Sequence, residues 1–384
     1  MKQKILNFLS YVLVAAVTAV TCFLVCERNN MDKLDYVRDL LKQNYIGEAD
    51  WDAVEDAAAA AMIQAVGDRW SYYMTAEEYV QYQDTMSNSY VGIGVTISQQ
   101  EDGTMLVKDV ASGSGAEDAG ILVDDRIIAI EGKSVEGMTS HESAELIRGE
   151  VETEVKLTVL RGEEKLEIPV LRKRIKTVVA TYEMLEGNIG LVTIENFDQR
   201  CAKETVAAIE ALLEQGAESL IFDVRNNPGG YKQEMVNLLD YLLPEGPLFR
   251  SEDYLGREEV DRSDADCLEI PMAVVVNLQS YSAAELFAAA LSEYDAAVVV
   301  GEKTFGKGYF QTTYELPDGS AVNLSIGKYS TPNGVSLAGV GLTPDVLVEV
   351  DEEIAEKILY NQLEPMQDPQ ILGAIEALKS GKNP

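Results

Sequence analysis

A serine and a lysine in two nearby segments are the residues of this sequence best suited to chemistry. Ser282 lies at a predicted strand-to-helix junction, and Lys307 follows in a turn between Gly306 and Gly308. The chain has a single histidine, His141, in a different part of the sequence. A serine nucleophile would therefore need a base other than imidazole. A neutral lysine is the next candidate, because Ser-Lys pairs are an established variant of the Ser-His-Asp arrangement.

Lys307 needs a special environment for this role. A base must be uncharged, whereas the pKa of a free lysine is about 10.4. Desolvation in an apolar pocket, worth roughly 3–4 kcal/mol, would bring that pKa to about 7–8. Val299, Phe305 and Phe310 are candidates to line such a pocket, and Gln311 offers an uncharged amide that orients an amine without recharging it. An exposed turn lysine is the ordinary alternative.

The neighbourhood of Ser282 and a separate glycine turn together suggest an oxyanion site. Ser282 precedes a predicted helix that begins at Ala283, so it lies near unpaired N–H groups and the positive end of the helix dipole. Gly229 and Gly230 lack a Cβ, so the N–H of either can approach a ligand closely, together with that of Ala283. An N-cap serine and a tight strand-to-helix turn are the structural alternatives, and both are common.

Composition indicates a globular protein of two or three domains, since 384 residues with 46% hydrophobic content exceed one average domain. Lys and Arg number 31 against 65 Asp and Glu, a net charge of −34. A surface that negative repels phosphate backbones, so nucleic acid is not an expected partner. No spacing of residues resembles a metal site, and a single histidine argues against a zinc hydrolase. We expect no metal and no cofactor.

The N-terminal segment predicts a membrane anchor. Residues Ile5 to Val25 form an apolar run with two lysines before it. About 20 apolar residues span a bilayer as a helix, and preceding lysines favour a cytoplasmic N-terminus. We therefore expect residues 1–30 to be a single-pass anchor in the cell membrane, with the remainder outside the cytoplasm. A signal peptide that is cleaved to release a secreted protein is the alternative. Whether Cys201 and Cys267 pair in the remainder stays open.

Patterning divides the rest of the chain into four regions. Residues 31–88 form a helical region, whose Trp70 and other aromatic side chains are interpreted as packing residues. Residues 89–172 show short strands and turns, with one helix predicted by a capping box at Thr139 and Glu142. Strands and helices alternate over 173–350, which indicates a sheet with parallel pairs covered by helices and a site beyond its strand ends. A helical tail is expected over 351–384.

The region 89–172 resembles a PDZ domain. The residues that carry the likeness are Gly92-Ile-Gly-Val95, Ala116-Glu-Asp-Ala-Gly-Ile121, Asp125-Arg-Ile-Ile128 and Gly132-Lys-Ser-Val135. In such a domain a glycine loop lets successive N–H groups converge on a terminal carboxylate, while the peptide pairs as an added strand. Gly92, Ile93, Gly94 and Val95 are therefore the predicted substrate-binding residues.

Several motifs in the right order resemble the C-terminal processing, or tail-specific, peptidases. They are Asp223-x-Arg-x-Asn-Pro-Gly-Gly230, Asn277-x-x-Ser-x-Ser282-Ala-x-Glu285, Gly301-Glu-Lys-Thr-Phe-Gly-Lys307-Gly-x-x-Gln311, Tyr329-Ser-Thr-Pro-Asn-Gly334 and Gly339-Val-Gly-Leu-Thr-Pro-Asp345. The resemblance implies a crotonase-like α/β core with an inserted PDZ domain, often dimeric through terminal helices. It also implies Ser282 as nucleophile, Lys307 as base and Gln311 as the residue that orients the lysine.

The sequence departs from the family pattern beside the serine. The usual Ser-Ala-Ser-Ala-Ser-Glu is here Ser280-Tyr-Ser-Ala-Ala-Glu285, and the bulky Tyr281 affects the shape of a subsite more than the chemistry. The arginine that the family has near the junction of PDZ domain and core, thought to sense substrate, corresponds to either Arg172 or Arg174.

These inferences predict a membrane-anchored, outward-facing serine endopeptidase without cofactor. Its PDZ region would capture the free C-terminus of a protein or peptide substrate, and its Ser-Lys dyad would cleave through an acyl-enzyme. A homodimer is a further expectation. The alternative from another class is a non-catalytic PDZ adaptor that holds C-termini at the membrane. A third interpretation, an acyl-CoA enzyme on a crotonase-like core, fits neither the serine-lysine pair nor the PDZ region.

Overall fold

The computed structural model describes Thr18 and residues 32–100, 102–360 and 362–381. The predicted anchor from Ile5 to Val25 lies outside these residues, apart from Thr18. Within the described part, no helix has both the length and the apolar content needed to cross a membrane. The described residues fall into two compact units, one ending at Met62 and the other beginning at Ile63.

The described chain contains both helices and strands, with a short strand inside the region 31–88 that was predicted as helical. Beyond Thr18 the helices are α1 (Lys33–Asn44), α2 (Trp51–Gln64), α3 (Ala76–Met86), α4 (Gly115–Asp118), α5 (Ser140–Ile147), α6 (Cys201–Glu214), α7 (Lys232–Leu242), α8 (Ala283–Glu293), α9 (Glu352–Leu359) and α10 (Pro369–Lys379). The strands are β1 (Tyr72–Met74), β2 (Ser89–Gly92), β3 (Val95–Gln99), β4 (Met105–Val110), β5 (Arg126–Ile130), β6 (Lys133–Ser134), β7 (Glu154–Arg161), β8 (Glu164–Leu171), β9 (Lys173–Lys176), β10 (Ala180–Leu185), β11 (Ile189–Ile194), β12 (Ser219–Asp223), β13 (Gly246–Asp253), β14 (Glu258–Ser263), β15 (Met272–Val276), β16 (Ala297–Gly301), β17 (Tyr309–Glu315), β18 (Ala321–Ser330) and β19 (Val346–Leu347).

A six-stranded sheet in the order β10-β11-β12-β15-β16-β19 is the centre of the α/β core. All adjacent strands of this sheet run parallel except β10 and β11, which are antiparallel. The predicted parallel pairs are thus confirmed. Successive side chains alternate between two apolar layers, so Phe222 packs on one face and Ile221 on the other. Helices cover both faces, with Phe287 of α8 on the first and Ile371 of α10 on the second. Burial of both faces explains the near-continuous apolar strands.

A second sheet lies beside this core and was predicted only in part. Its order is β1-β18-β13-β14, with β17 paired to β18. The short strand β1 pairs antiparallel with β18, so that Tyr72 lies opposite Asn323 and Met74 opposite Ala321. This pairing ties the segment after α2 to a strand near the end of the core.

The PDZ-like region has its own sheet, β3-β4-β5-β7-β8 with β6 on β5, and its own apolar core. The predicted capping box of Thr139 and Glu142 begins α5. Strands β2 and β3 are separate elements, because Gly94 between them has a φ of +78° and interrupts the extended backbone. The part before it, β2, pairs with β9.

The structure gives the contacts of the two candidate junction arginines and the state of the two cysteines whose pairing the sequence leaves open. Arg172 lies in the PDZ-like region, where its Nε donates to the carbonyl of Ile147 at 2.7 Å. Arg174 on β9 forms an ion pair with Asp84 of α3. Cys201 and Cys267 are both free thiols, and Cys201 is buried.

Candidate active site

Ser282 occupies a strained position between a buried strand and a buried helix. It follows β15 by a short loop and precedes α8, and its φ of +60° is unusual for a residue with a side chain. Strain of this kind persists only where the surroundings fix it, and it is common at functional sites. Ser280 provides part of that fixation, since its hydroxyl donates to the carbonyl of Val224 at 2.7 Å and accepts the N–H of Asn277 at 3.0 Å. The Ser280 hydroxyl is therefore used in structural hydrogen bonds that hold the loop before α8.

Glu285 joins the serine to the lysine loop. It is completely buried in the first turn of α8. Its Oε1 accepts the Thr304 hydroxyl and the Gly306 N–H, each at 2.6 Å, and its Oε2 accepts the N–H groups of Ser282 and Lys307, each at 3.0 Å. Burial raises the pKa of this carboxyl, and the four hydrogen bonds act in the opposite direction. By sequence alone, Glu285 is recognisable only as a capping residue, a glutamate three residues after an N-cap serine.

Lys307 lies half-buried against an indole ring. Its Nζ is 4.7 Å from the ring centroid of Trp70. Burial lowers the pKa of Lys307 to about 8, although the carboxylates of Glu285 and Asp68 act to raise it. A lysine with this pKa is partly neutral near physiological pH, which a general base requires. Of the side chains expected to line its pocket, Phe305 takes part through an edge contact with Trp70, with ring centroids 5.6 Å apart.

The backbones of the predicted pair are close, but their side chains are not hydrogen-bonded. Because Ser282 and Lys307 share one oxygen of Glu285, their nitrogens are at most two hydrogen-bond lengths apart. Among the described residues, no hydrogen bond joins Lys307 Nζ to Ser282 Oγ. Gln311 donates instead to the Tyr309 carbonyl at 3.0 Å and to Ser325 Oγ at 3.1 Å. Its predicted role of orienting the lysine is therefore not represented by a contact, and it remains a prediction.

The glycine turn packs directly on the start of α8. A Cβ at Gly229 would lie 2.8 Å from Ser282 Cβ and 2.9 Å from Ala283 N, and one at Gly230 would overlap the Phe197 carbonyl. The N–H of Gly229 is occupied, since it donates to Asn227 Oδ1 at 2.8 Å. Ala283 is the first residue of its helix and its N–H has no intrahelical acceptor. In the described part of the chain, Gly230 N–H also has no acceptor. Both N–H groups thus lack a described acceptor, and their part in an oxyanion hole remains a prediction.

Aromatic side chains surround the two predicted catalytic residues. Tyr281, where the family usually has a small residue, packs on Phe305 with ring centroids 5.5 Å apart. The Tyr329 ring is buried, and its hydroxyl faces Ser282 without hydrogen-bond geometry to any described partner. Burial raises the pKa of Tyr329 far above its ordinary value, so this hydroxyl stays protonated.

Residues of the predicted peptide-binding loop pack into the PDZ-like region and form hydrogen bonds with it. Ile93 is buried, and its carbonyl accepts the Ala116 N–H at 2.9 Å. The carbonyl of Gly94 accepts the Ala111 N–H at 2.8 Å, and a Cβ at Gly94 would overlap Ser114. Strand β3 continues from Val95 past α5, where Gln99 N–H donates to Ser140 Oγ at 3.1 Å. This strand and helix are the elements between which a PDZ domain binds a peptide, so the substrate-binding role of residues 92–95 remains a prediction with suitable surroundings.

Comparison with known proteins identifies both regions. A model of peptidase family S41 matches residues 188–348, and a PDZ domain model matches residues 81–160. The carboxy-terminal processing protease CtpA of Bacillus subtilis is 36% identical over 327 residues, which cover 84% of this chain and 70% of that protein. A probable CtpA-like serine protease of Staphylococcus aureus is 32% identical over 339 residues, 87% of this chain and 68% of the other.

The fold also has a counterpart among solved structures. The tricorn protease superposes with a TM-score of 0.50 at 17% identity, covering 81% of this chain and 31% of that one. At this identity the likeness concerns the fold alone. Any assignment to a family rests on the relatives that are similar in sequence.

Proposed function

Because the chain belongs to peptidase family S41, a family of C-terminal processing serine proteases, and carries a PDZ domain, we propose that it is a serine endopeptidase with a Ser282–Lys307 dyad. The PDZ domain binds the free C-terminus of a protein substrate, and the dyad cleaves a peptide bond of that substrate. The observation that carries this proposal is the shared oxygen of Glu285, which holds the backbones of Ser282 and Lys307 together.

The proposed reaction uses one amine twice. The neutral Lys307 amine turns from Trp70 to Ser282 and takes the hydroxyl proton as Oγ attacks the substrate carbonyl. The N–H groups of Gly230 and Ala283 stabilise the oxyanion of the tetrahedral intermediate. The lysine then returns the proton to the leaving amine, which leaves an acyl-enzyme on Ser282. It next accepts a proton from the attacking water and passes it to Ser282 Oγ as the second tetrahedral intermediate collapses. The product acid is released and ionises, and the serine hydroxyl and neutral amine are restored.

Two substitutions and a covalent probe test the dyad. Cleavage of a tail peptide should vanish in Ser282→Ala and in Lys307→Ala, while Lys303→Ala, an exposed lysine of the same loop, should keep wild-type turnover. A fluorophosphonate should modify Ser282, as located by mass mapping. Wild-type turnover in either dyad variant would refute the proposal.

Recognition of the C-terminus is tested separately. A substrate with a free terminal carboxylate should have a lower KM than the same peptide with a terminal amide, because the loop N–H groups bind a carboxylate. Tail binding without cleavage and without fluorophosphonate labelling would instead establish the adaptor function.

We also infer that the segment from Ile5 to Val25 anchors the chain in the cell membrane, with the protease outside the cytoplasm, and that a homodimer forms. Both inferences rest on the sequence and its family resemblance. Fractionation with N-terminal sequencing would distinguish a retained anchor from a cleaved leader, and sedimentation would give the oligomeric state.

A further inference from the structure

Trp70 contacts the predicted base from a segment of the chain that the proposed reaction does not otherwise use. The indole lies under the Lys307 amine at 4.7 Å and meets the edge of Phe305. Trp70 and Lys307 are both only partly exposed, so each shields the other from water. This ring and that of Phe305 together supply the apolar wall beside the amine.

Hydrogen bonds of the Trp70 backbone and of its neighbours fix the turn that carries the indole. Asp68 accepts the N–H of Trp70 at 3.1 Å and the hydroxyl of Ser71 at 2.6 Å. Ser71 Oγ in turn accepts the N–H of Ser325 at 2.9 Å, and the Trp70 carbonyl accepts Asn323 Nδ2 at 3.2 Å. The turn of residues 68–71 is thereby attached to β18. A ring held this way is a rigid surface for a flexible lysine.

Three charged side chains act on the amine and the indole. Asp68, in the same turn as Trp70, and Glu285, below the lysine loop, both favour the charged amine. Arg69 places a second cation over the same indole at 4.5 Å and over Phe305 at 5.0 Å. The two carboxylates alone would keep Lys307 protonated, so the neutral form depends on exclusion of water.

We propose that Trp70 is a positioning residue of the active site, whose indole covers the Lys307 amine, excludes water from it and holds it within reach of Ser282. The role rests on the proposed function of Lys307 as the base. Both protonation states suit the arrangement, since an ammonium is attracted to the face of the ring and a neutral amine is stabilised by its apolar surface.

Indole fluorescence tests the contact without any use of proteolysis. The chain has two tryptophans, so Trp51→Phe leaves Trp70 as the only indole. A charge appearing 4.7 Å from the ring should alter its emission, and the emission should follow a titration with a midpoint near pH 8. That titration should disappear in Trp51→Phe/Lys307→Met. Emission that does not change with pH, or a titration that survives Lys307→Met, would overturn the proposal.

A reverse variant supplies the matched control. Trp70→Phe leaves Trp51, over which Lys42 lies at 5.0 Å in the N-terminal unit, as the only indole. Its emission should lack the transition that depends on Lys307. Persistence of that transition in Trp70→Phe would assign it to Trp51 and count against the proposal.

Kinetics test the positioning role. Trp70→Ala should lower kcat/KM at neutral pH about tenfold or more and move the inflection of its pH profile upward, and Trp70→Phe should restore most of both. Wild-type kcat/KM with an unmoved inflection in Trp70→Ala would overturn the role. If Trp70→Ala does not fold, the Trp70→Phe profile and the fluorescence titration decide.

The two proposals fail in different ways. Full cleavage by Ser282→Ala would remove the proposed function while the fluorescence titration still established the contact. An inactive Ser282→Ala beside wild-type kinetics in the Trp70 variants would remove only this inference.

Discussion

Ser282 and Lys307 donate their backbone N–H groups to the same atom, Oε2 of Glu285, each across 3.0 Å. A single buried carboxylate thus sets the separation of the two predicted catalytic residues. Its other oxygen holds Thr304 and Gly306, so the lysine loop cannot shift without breaking hydrogen bonds to a buried charge.

Glu285→Gln should impair both activity and stability. The amide replaces one acceptor oxygen with a donor that faces N–H or hydroxyl donors, which leaves buried groups unsatisfied. We expect kcat/KM to fall about 100-fold or more and the free energy of unfolding to fall by about 1–3 kcal/mol. Peptide cleavage and urea unfolding measure the two effects, with Glu315→Gln, at an exposed residue of β17, as control. Wild-type values for Glu285→Gln would contradict the bridging role.

The pH profile of kcat/KM should rise through one ionisation near pH 8. Burial lowers the pKa of Lys307 from 10.5 to about 8, and only the neutral amine accepts the serine proton. Activity should therefore be low where the amine is charged and level off above its pKa. A profile that stays flat from mildly acidic to alkaline conditions would exclude a titrating amine as base.

Lys307→Met should stabilise the fold at neutral pH. Below about pH 8 the wild type buries an ammonium at a cost to the folded state. Between about pH 8 and 10.5 the unfolded chain binds more protons than the folded one, so wild-type stability rises with pH and the cost disappears. The advantage of Lys307→Met in urea unfolding should therefore shrink across this interval. An advantage independent of pH, or a less stable variant, would be incompatible with a buried ammonium.

Gly230→Ala should be more damaging than Gly216→Ala. Both glycines have positive φ, so both substitutions introduce backbone strain of about 1–3 kcal/mol. The methyl group at Gly216 meets open space, whereas at Gly230 it overlaps the Phe197 carbonyl. We expect a lower Tm and lower kcat/KM for Gly230→Ala, and only a lower Tm for Gly216→Ala. Equal Tm losses with full activity in both would argue against a tight packing of this turn.

Tyr329→Phe should leave stability unchanged or raise it by about 1 kcal/mol, because the hydroxyl is buried without a described hydrogen-bond partner. Thermal unfolding provides the measurement. A clear loss of stability would show that the hydroxyl has a partner, either Ser282, which it faces, or an ordered water.

Local patterns predicted most of the elements that carry the site. The parallel strands are recognisable as short apolar runs, because both faces of their sheet are buried. The Thr139 capping box and the helix beginning at Ala283 also match, because caps are encoded by adjacent residues.

Contacts between distant segments were not predictable in the same way. Strand β1 has three residues and follows a helical pattern, so its pairing with β18 leaves no periodic signal. Trp70 is an ordinary packing residue by sequence, and only the tertiary structure brings it to Lys307. The oxyanion prediction offered the N–H of either Gly229 or Gly230. Only the folded structure shows that the side chain of Asn227 accepts the N–H of Gly229.

The attachment of Trp70 to Asn323 spans 253 positions of the sequence. A polypeptide that ends before β18 therefore lacks the strand that holds the Trp70 indole beside Lys307. The indole is held beside the Lys307 amine by a strand near the end of the core, so the environment of the predicted base depends on nearly the whole length of that core.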